Sequence, residues 1–176
     1  MVCEAIAVAS TPGYSYIDDY ISELGSAPTM NVGGFFLHGA LFLAGAVVFV
    51  RSRPPLGWAG FGFVLAAAAN AVGNVLVGTI GTGAVHASGA AMAILGGNIA
   101  VIIAGIGSRR LDAPAPYRRA SIAIGVIGIG CLLILAIEAV AGSRILPVGI
   151  VERGAVYPII AWELVTGTAI LRRRQG

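Results

Sequence analysis

The sequence contains no lysine and few charged residues of any kind. Asp, Glu, Lys and Arg make up 11% of the 176 residues, whereas hydrophobic residues make up 57%. A soluble domain carries roughly 25% charged residues and about half apolar residues. This chain has too little charge to cover a water-exposed surface, which excludes soluble globular, disordered and nucleic-acid-binding proteins. The mean hydropathy of +0.91 indicates a polytopic membrane protein.

Residues that commonly bind metals are also scarce. The two cysteines, Cys3 and Cys131, are far apart and form no CxxC motif, so we interpret them as small apolar residues. The two histidines, His38 and His86, lie in different hydrophobic segments, and no HxxxH or HExxH motif is present. The sequence therefore predicts no cofactor, and zinc remains an alternative that is considered below.

The N-terminus lacks the basic region of a secretory signal, and Glu4 stands where that region would lie. Residues 1–10 are otherwise apolar, but a helix of this length reaches only about 15 Å and cannot cross a bilayer. The segment is predicted to be the outer part of a first helix whose beginning is absent.

Five segments have the roughly 20 mostly apolar residues that a membrane-spanning helix needs. They cover approximately residues 32–50, 56–80, 85–107, 120–142 and 148–171. Long unbroken apolar runs differ from the alternating pattern of barrel strands. The predicted fold is therefore all-α: one integral membrane domain over 1–176, a transmembrane helix bundle with five full spans and a partial N-terminal helix.

The loops between these spans predict the orientation of the chain. Nine of the 11 arginines fall on one side of the membrane, in residues 51–53, 109–119 and 172–174, and the other side holds Arg144 and Arg153. The positive-inside rule makes the nine-arginine side cytoplasmic. We expect a multi-pass protein of a prokaryotic plasma membrane, with its C-terminus inside and its N-terminal segment outside.

Residues 14–25 show the pattern of a short amphipathic helix. Tyr14, Ile17, Tyr20, Ile21 and Leu24 fall on one stripe, and the acidic residues face away from it. Ser15 with Asp18 is a possible capping box, and Gly25 suits a C-terminal stop. This pattern predicts a helix that lies on the outer membrane interface, with its tyrosines at headgroup level.

Several strings of residues together resemble the integral membrane family catalogued as domain of unknown function 998. They are Pro12-Gly-Tyr-Ser, Tyr20-Ile-Ser-Glu-Leu-Gly25, His38-Gly-Ala, His86, Gly97-Asn98, Glu152-Arg-Gly, Tyr157-Pro158 and Trp162. The resemblance covers nearly the whole chain. It implies a six-helix membrane protein with both ends inside, from which this sequence departs by lacking most of the first helix. The family has no established activity, so the resemblance informs the fold more than the function.

Ionisable residues inside a membrane need a partner or a function, because each costs roughly 2.5–3.5 kcal/mol at a helix centre. Most such residues here gather in the outer third of the predicted bundle, which suggests an outward-facing polar pocket for a lipid or another amphipathic ligand. In this hypothesis Arg153 contacts a phosphate and aromatic side chains line an apolar part. The proposed ligand-binding residues are Asp18, Asp19, Glu23, His38, His86, Glu138, Glu152, Arg153, Tyr157 and Trp162.

An intramembrane metal hydrolase is an alternative. His38 and His86, with Asp18, Asp19 or Glu23, are possible zinc ligands. Glu138 or Glu152 would then act as the base. The isolated histidines are weak support for this alternative, because they lie on different helices.

Two further alternatives remain open. A proton-coupled carrier would use Glu163 and Glu138 as titrating groups. A structural or partner-binding subunit would use Glu152 and Arg153 only to hold the bundle together, through Arg144 or Glu138. Asn70 and Asn74, with nearby glycines, are interpreted as helix-packing residues. The expected partners are membrane lipids and, through the helix surfaces, another copy of the chain in a homo-oligomer.

Overall fold

The computed structural model describes residues 1–53 and 55–173, and within them the chain forms helices and no strand. The predicted all-α fold is thereby confirmed. Arg174 of the predicted C-terminal basic cluster lies outside the described residues.

In the described part of the chain, six α-helices are joined by short connections and by three helical segments of other types. Helix α1 is Val2–Ala9, a 3-10 helix covers Ile21–Ser26, and a π-helix, Met30–Leu37, continues directly into α2, His38–Arg51. Helix α3 is Trp58–Thr79, α4 is Gly83–Gly107, a second 3-10 helix is Ser108–Leu111, α5 is Ala115–Ala141 and α6 is Val148–Arg173.

Five of these stretches are long and apolar enough to cross a membrane, as the sequence predicted. They are Met30–Arg51, Trp58–Thr79, Gly83–Leu111, Ala115–Ala141 and Val148–Leu171. Helix α1 has only eight residues, so it adds a partial helix at one end of the bundle.

The five long helices alternate in direction, which gives the bundle two chemically different ends. We call the end that carries α1 and residues 10–29 the capped end. The other is the arginine-rich end, where residues 51–53, 109–110 and 118–119 place six arginines. Each long helix packs against the next one along the chain, and α6 also contacts α4.

Helices α3 and α4 approach most closely, because small residues face each other along their seam. A Cβ atom on Gly73 would lie against the backbone nitrogen of Ala93 and 2.6 Å from the carbonyl oxygen of Gly89. The Asn70 side chain donates a 2.8 Å hydrogen bond to the Ala93 carbonyl across this seam. The interpretation of these residues as packing residues agrees with these contacts.

The main apolar core lies between α2, α3, α4 and α6. It contains a series of aromatic rings in edge-to-face contact: Phe42 with Phe63, and Phe63 with Trp162, each at 6.2 Å between centroids. The Trp162 indole donates to the Ser121 hydroxyl at 3.0 Å, which satisfies its buried N–H and ties α6 to α5.

Residues 14–25 differ from the predicted amphipathic helix, because they form turns followed by the 3-10 helix Ile21–Ser26. Polar side chains compete with the helix for backbone amides. The Ser15 hydroxyl accepts bonds from the amides of Ile17 and Asp18, and the Asp19 carboxylate accepts a 2.7 Å bond from the Ser15 amide. The Ser15–Asp18 contact proposed as a capping box forms, but it closes a turn instead of opening an α-helix.

Candidate functional site

A buried ion pair joins the first and last helices at the capped end. Arg153 of α6 donates through Nε to Glu4 Oε1 of α1 at 2.9 Å, and the two residues are only 7% and 1% exposed. The Tyr157 hydroxyl donates to the other Glu4 oxygen at 2.7 Å. Both carboxylate oxygens are therefore hydrogen-bonded, as a buried charge requires. We call these residues, together with Tyr14, the Arg153 cluster.

The remaining nitrogens of Arg153 hold the loop that follows α1. Its Nη1 donates to the carbonyls of Tyr16, Asp19 and Gly149, at 2.8, 3.2 and 2.9 Å. Its Nη2 donates to the Tyr14 hydroxyl at 2.6 Å. The carbonyls of Tyr16 and Asp19 accept hydrogen bonds from this arginine of another helix. Because they are directed towards Arg153, this loop is not α-helical.

Tyr14 completes the cluster from outside the membrane-spanning helices. Its hydroxyl accepts from Arg153 and donates to the carbonyl of Tyr20 at 3.0 Å. Burial raises the pKa of this phenol, and the hydrogen bond and charge of Arg153 offset part of that shift. The guanidinium group also lies over the Tyr16 ring, 4.8 Å from its centroid.

Glu152 fixes the same loop one residue before Arg153. Its carboxylate accepts a hydrogen bond from the Ile21 amide at the start of the 3-10 helix, and the residue is 3% exposed. The Gly149 amide donates to the Ile17 carbonyl at 2.9 Å. A Cβ on Gly149 would lie 2.6 Å from the Tyr16 carbonyl oxygen, so the close approach of the loop to α6 requires glycine here.

A large cavity lies between α2 and α6 in the arginine-rich half of the bundle. Its volume is about 920 Å³, at the upper end of the range of small-molecule binding sites. Most of its wall is apolar, and Phe42, Phe49 and Phe63 are prominent in it. The cavity exists because α2 packs on α3 while α6 packs on α4 and α5. At the capped end the N-terminal segment occupies part of the corresponding space and leaves a smaller cavity there.

Polar groups lie at both ends of the large cavity. At the end of the cavity nearer the middle of the bundle, His38 Nε2 lies 3.1 and 3.3 Å from the two carboxylate oxygens of Glu163. The two side chains are 23% and 25% exposed. Towards the arginine-rich end the wall includes Arg53, and the Tyr117 and Thr166 hydroxyls bond at 3.0 Å. The cavity is thus apolar along its length and polar at its two ends.

A smaller cavity of about 210 Å³ lies towards the capped end. Its wall includes Glu152, Asn70, Asn74 and Cys3, from α6, α3 and α1. His38 also lines it, and among the described residues His38 is the one that the walls of both cavities share. The π-helix that precedes His38 supplies Gly33, Gly34 and Phe35 to the same wall.

The residues proposed from the sequence occupy several separate places. Arg153 and Tyr157 belong to the Arg153 cluster, Glu152 lines the small cavity, and His38 and Trp162 line the large one. Asp18, Asp19 and Glu23 lie in the loop and 3-10 helix, outside the described walls of both cavities. The larger cavity therefore lies in the half of the bundle opposite to the predicted outward-facing pocket. Arg153 is committed to protein partners instead of facing a ligand.

The predicted zinc ligands are not brought together as a set. His38 pairs with Glu163, and His86 Nδ1 donates to the carbonyl of Ile80 at 2.7 Å. In the described part of the chain, no group of three or more His, Cys, Asp or Glu side chains is arranged to hold a metal ion. This arrangement of donors gives the hydrolase alternative no structural support.

Glu138 has a local role at the end of α5. Its carboxylate oxygen Oε1 accepts hydrogen bonds from the amides of Ile145 and Leu146, at 2.9 and 2.8 Å. It thereby orders the connection between α5 and α6. Gly142, which ends α5 in the left-handed conformation, is the first residue of this connection. The alternative in which Glu138 pairs with Arg153 differs from the structure, where Arg153 pairs with Glu4.

We expect Glu138→Ala to lower the free energy of unfolding by about 1–2 kcal/mol, because water replaces the lost bonds to the two amides only in part. Hydrogen exchange at Ile145 and Leu146 should accelerate in the variant. Glu23→Ala, at an exposed carboxylate of the capped end, is the control and should change stability by less than about 0.5 kcal/mol. Equal effects of the two substitutions would contradict this role for Glu138.

Sequence reasoning missed Glu4 as the partner of Arg153, and it did not pair His38 with Glu163. Glu4 carried a usable signal, because a single acidic residue in an apolar helix needs a buried partner. The partner could not be identified from spacing, since 149 residues separate Glu4 from Arg153.

The fold and its buried polar groups define a multi-pass α-helical membrane protein. The family model described as "Protein of unknown function (DUF998)" matches residues 1–169, and the chain belongs to this family. The resemblance inferred from the sequence is thus confirmed. Neither the comparison with curated proteins nor that with solved structures gave a match.

Proposed function

We propose that the protein binds an anionic lipid, or an amphipathic ligand of the same chemistry, in the large cavity between α2 and α6. The observation that carries this proposal is the shape of the cavity: about 920 Å³, apolar along its length, with Arg53 at the arginine-rich end. An acyl chain fits the apolar wall, and an anionic headgroup fits next to Arg53. In this proposal Arg53, instead of Arg153, contacts the phosphate group of the ligand.

The orientation of the protein is part of this proposal. The positive-inside rule places the arginine-rich end, and with it Arg53, on the cytoplasmic side. The C-terminus is then cytoplasmic and the capped end faces outwards, in a prokaryotic plasma membrane. The ligand enters from the inner leaflet, where anionic headgroups and Arg53 lie at the same depth.

Gly45 offers a direct way to fill the cavity. It lines the wall, and a Cβ atom at this position meets no atom within 4 Å. Gly45→Leu therefore places a side chain in the cavity without displacing the backbone. Gly130 of α5 is the matched control, because it is also open but lies outside the described cavity walls. Both substitutions replace a helical glycine, so both should favour the helix by a similar amount.

We expect native mass spectrometry of the protein in mild detergent to detect a retained anionic lipid. Gly45→Leu should reduce retention by roughly tenfold or more, which corresponds to about 1.4 kcal/mol. Gly130→Leu should retain the lipid as the wild type does, and Arg53→Gln should remove the preference for anionic over zwitterionic lipid. Absence of bound lipid from the wild type, or equal retention by the two glycine variants, would overturn the proposal.

A further inference from the structure

The two cavities lie one after the other along a seam between α6 and the stretch formed by the π-helix and α2, and their walls share His38. On α2 and the preceding π-helix, their walls extend from Met30 to Arg53, which at the helical rise is about 30–35 Å. On α6 they extend from Glu152 to Ile170, about 27 Å. These lengths match the hydrocarbon thickness of a bilayer, about 30 Å. The two cavities together therefore extend over a distance close to the thickness of the hydrocarbon layer.

The His38–Glu163 pair divides this seam. The His38 ring contributes to the walls of both cavities, whereas Glu163 lines the large one. Phe42 stacks on the imidazole at 6.2 Å and holds the ring on this face of α2. The pair is the point at which the small cavity ends and the large one begins.

We propose that the His38–Glu163 pair conducts protons between the two cavities, and hence across the membrane. An imidazole suits this task, because one ring nitrogen can accept a proton while the other releases one. This inference concerns the protein with no lipid in the large cavity, because a bound lipid would displace the water that the route requires.

The transfer conserves protons at each step. A proton from the small cavity binds Nδ1 of neutral His38, and the Nε2 proton of the resulting imidazolium passes to the Glu163 carboxylate. The protonated carboxyl group then releases its proton to water in the large cavity. The proton on Nδ1 passes to Nε2 through rotation of the ring and relay by water, which restores the first tautomer without returning a proton to the small cavity. One proton enters and one leaves, so the pair ends in its starting state.

Other ionisable groups face the same seam. They lie towards the two ends of the route, and among the described residues none of them is hydrogen-bonded to His38 or Glu163. Those of the small cavity are Cys3 and Glu152, and those of the large cavity are Arg53 and Tyr117. Glu152 supplies an acidic group on the entry side, while Arg53 places positive charge beyond the exit.

The test measures proton flux in phosphatidylcholine vesicles that contain the purified protein and an internal pH-sensitive dye. A potassium diffusion potential set by valinomycin drives the flux. Wild-type protein should acidify the lumen several-fold faster than protein-free vesicles, and Glu163→Gln should return the rate to the protein-free level. Gln retains a hydrogen bond to His38 but cannot carry the proton. Glu23→Gln, outside both described cavity walls, should conduct like the wild type.

Cys3 provides a second measurement that does not depend on the folding of a variant. Because its side chain lines the small cavity, modification by a bulky, membrane-impermeant thiol reagent should slow the wild-type flux. Cys3→Ser should abolish this sensitivity. Wild-type flux equal to that of protein-free vesicles, or unchanged flux in Glu163→Gln, would overturn the proposal. Lipid retention is measured separately, so the two proposals can fail independently.

Discussion

Replacement of Arg153 by Met is expected to lower the free energy of unfolding by about 3–5 kcal/mol, the usual cost of leaving a buried charge without its partner. Glu4 is 1% exposed and would keep only the Tyr157 hydroxyl as a hydrogen-bond donor. The carbonyls of Tyr16 and Asp19 would also lose their donor, so the loop of the capped end should detach from α6.

Reversible unfolding in mixed micelles measures this effect, with Arg144→Met as the control. Arg144 is exposed at the same end of the bundle, and its loss should change stability by less than about 0.5 kcal/mol. Arg153→Lys should recover little, because an ammonium group cannot reproduce the planar set of donors that serves Glu4, Tyr14 and the carbonyls together.

A double-mutant cycle separates the ion pair from the rest of the Arg153 cluster. Glu4→Gln removes the buried charge, so Arg153→Met should cost less in that background than in the wild type. Strictly additive effects of the two substitutions would show that Arg153 stabilises the capped end through the loop carbonyls alone.

The second large effect is expected at the seam between α3 and α4. Gly73→Ala should destabilise the protein by about 1–3 kcal/mol or more, because the added methyl group meets backbone atoms of α4 that cannot move independently. The same reasoning applies to Gly96, where a Cβ would lie 2.6 Å from the backbone nitrogen of Asn70 and 2.8 Å from the carbonyl oxygen of Ala66. Separation of the helices would also break the hydrogen bond from Asn70 to Ala93.

Gly130→Ala is the matched control for Gly73→Ala. Nothing lies within 4 Å of a Cβ at Gly130, so the substitution should be neutral or stabilise the helix by about 0.5–1 kcal/mol. Thermal unfolding of the two variants in one detergent gives the comparison. A Gly73→Ala protein as stable as Gly130→Ala would show that the two helices are free to separate.

The transmembrane helices could be predicted from the sequence because the bilayer imposes a length and a composition on each span. The predicted fifth span, for example, begins at residue 148, and α6 begins at Val148, directly after Pro147. The family resemblance added the expectation of one more helix, and the chain supplies α1 as a short segment in its place.

The loop of residues 14–20 could not be predicted in the same way. Its hydrophobic stripe favours a helix, but hydrogen bonds to Ser15, Asp19 and Arg153 determine its backbone. Arg153 is remote in sequence, so local periodicity carries no information about its contribution. Tertiary contacts, and not the local hydrophobic pattern, therefore determine the backbone conformation of this loop.

The cavities were equally inaccessible to sequence reasoning. Their position depends on which helices diverge, and apolar residues that face lipid are indistinguishable in sequence from those that face a cavity. His38 was identified as a candidate because it is an ionisable residue in an apolar segment. Its pairing with Glu163 depends on how α2 and α6 face each other across the bundle.

The distance along the chain between Glu4 and Arg153 has a consequence for biosynthesis. At 5–20 residues per second, the ribosome needs about 7–30 s to synthesise the 149 residues from Ala5 to Arg153. Throughout that interval Glu4 lacks the arginine that it pairs with in the folded protein, and the capped end cannot close until α6 has been synthesised. Closure of the capped end is thus a late step of assembly, and a nascent chain arrested before α6 is expected to leave Glu4 without its buried partner.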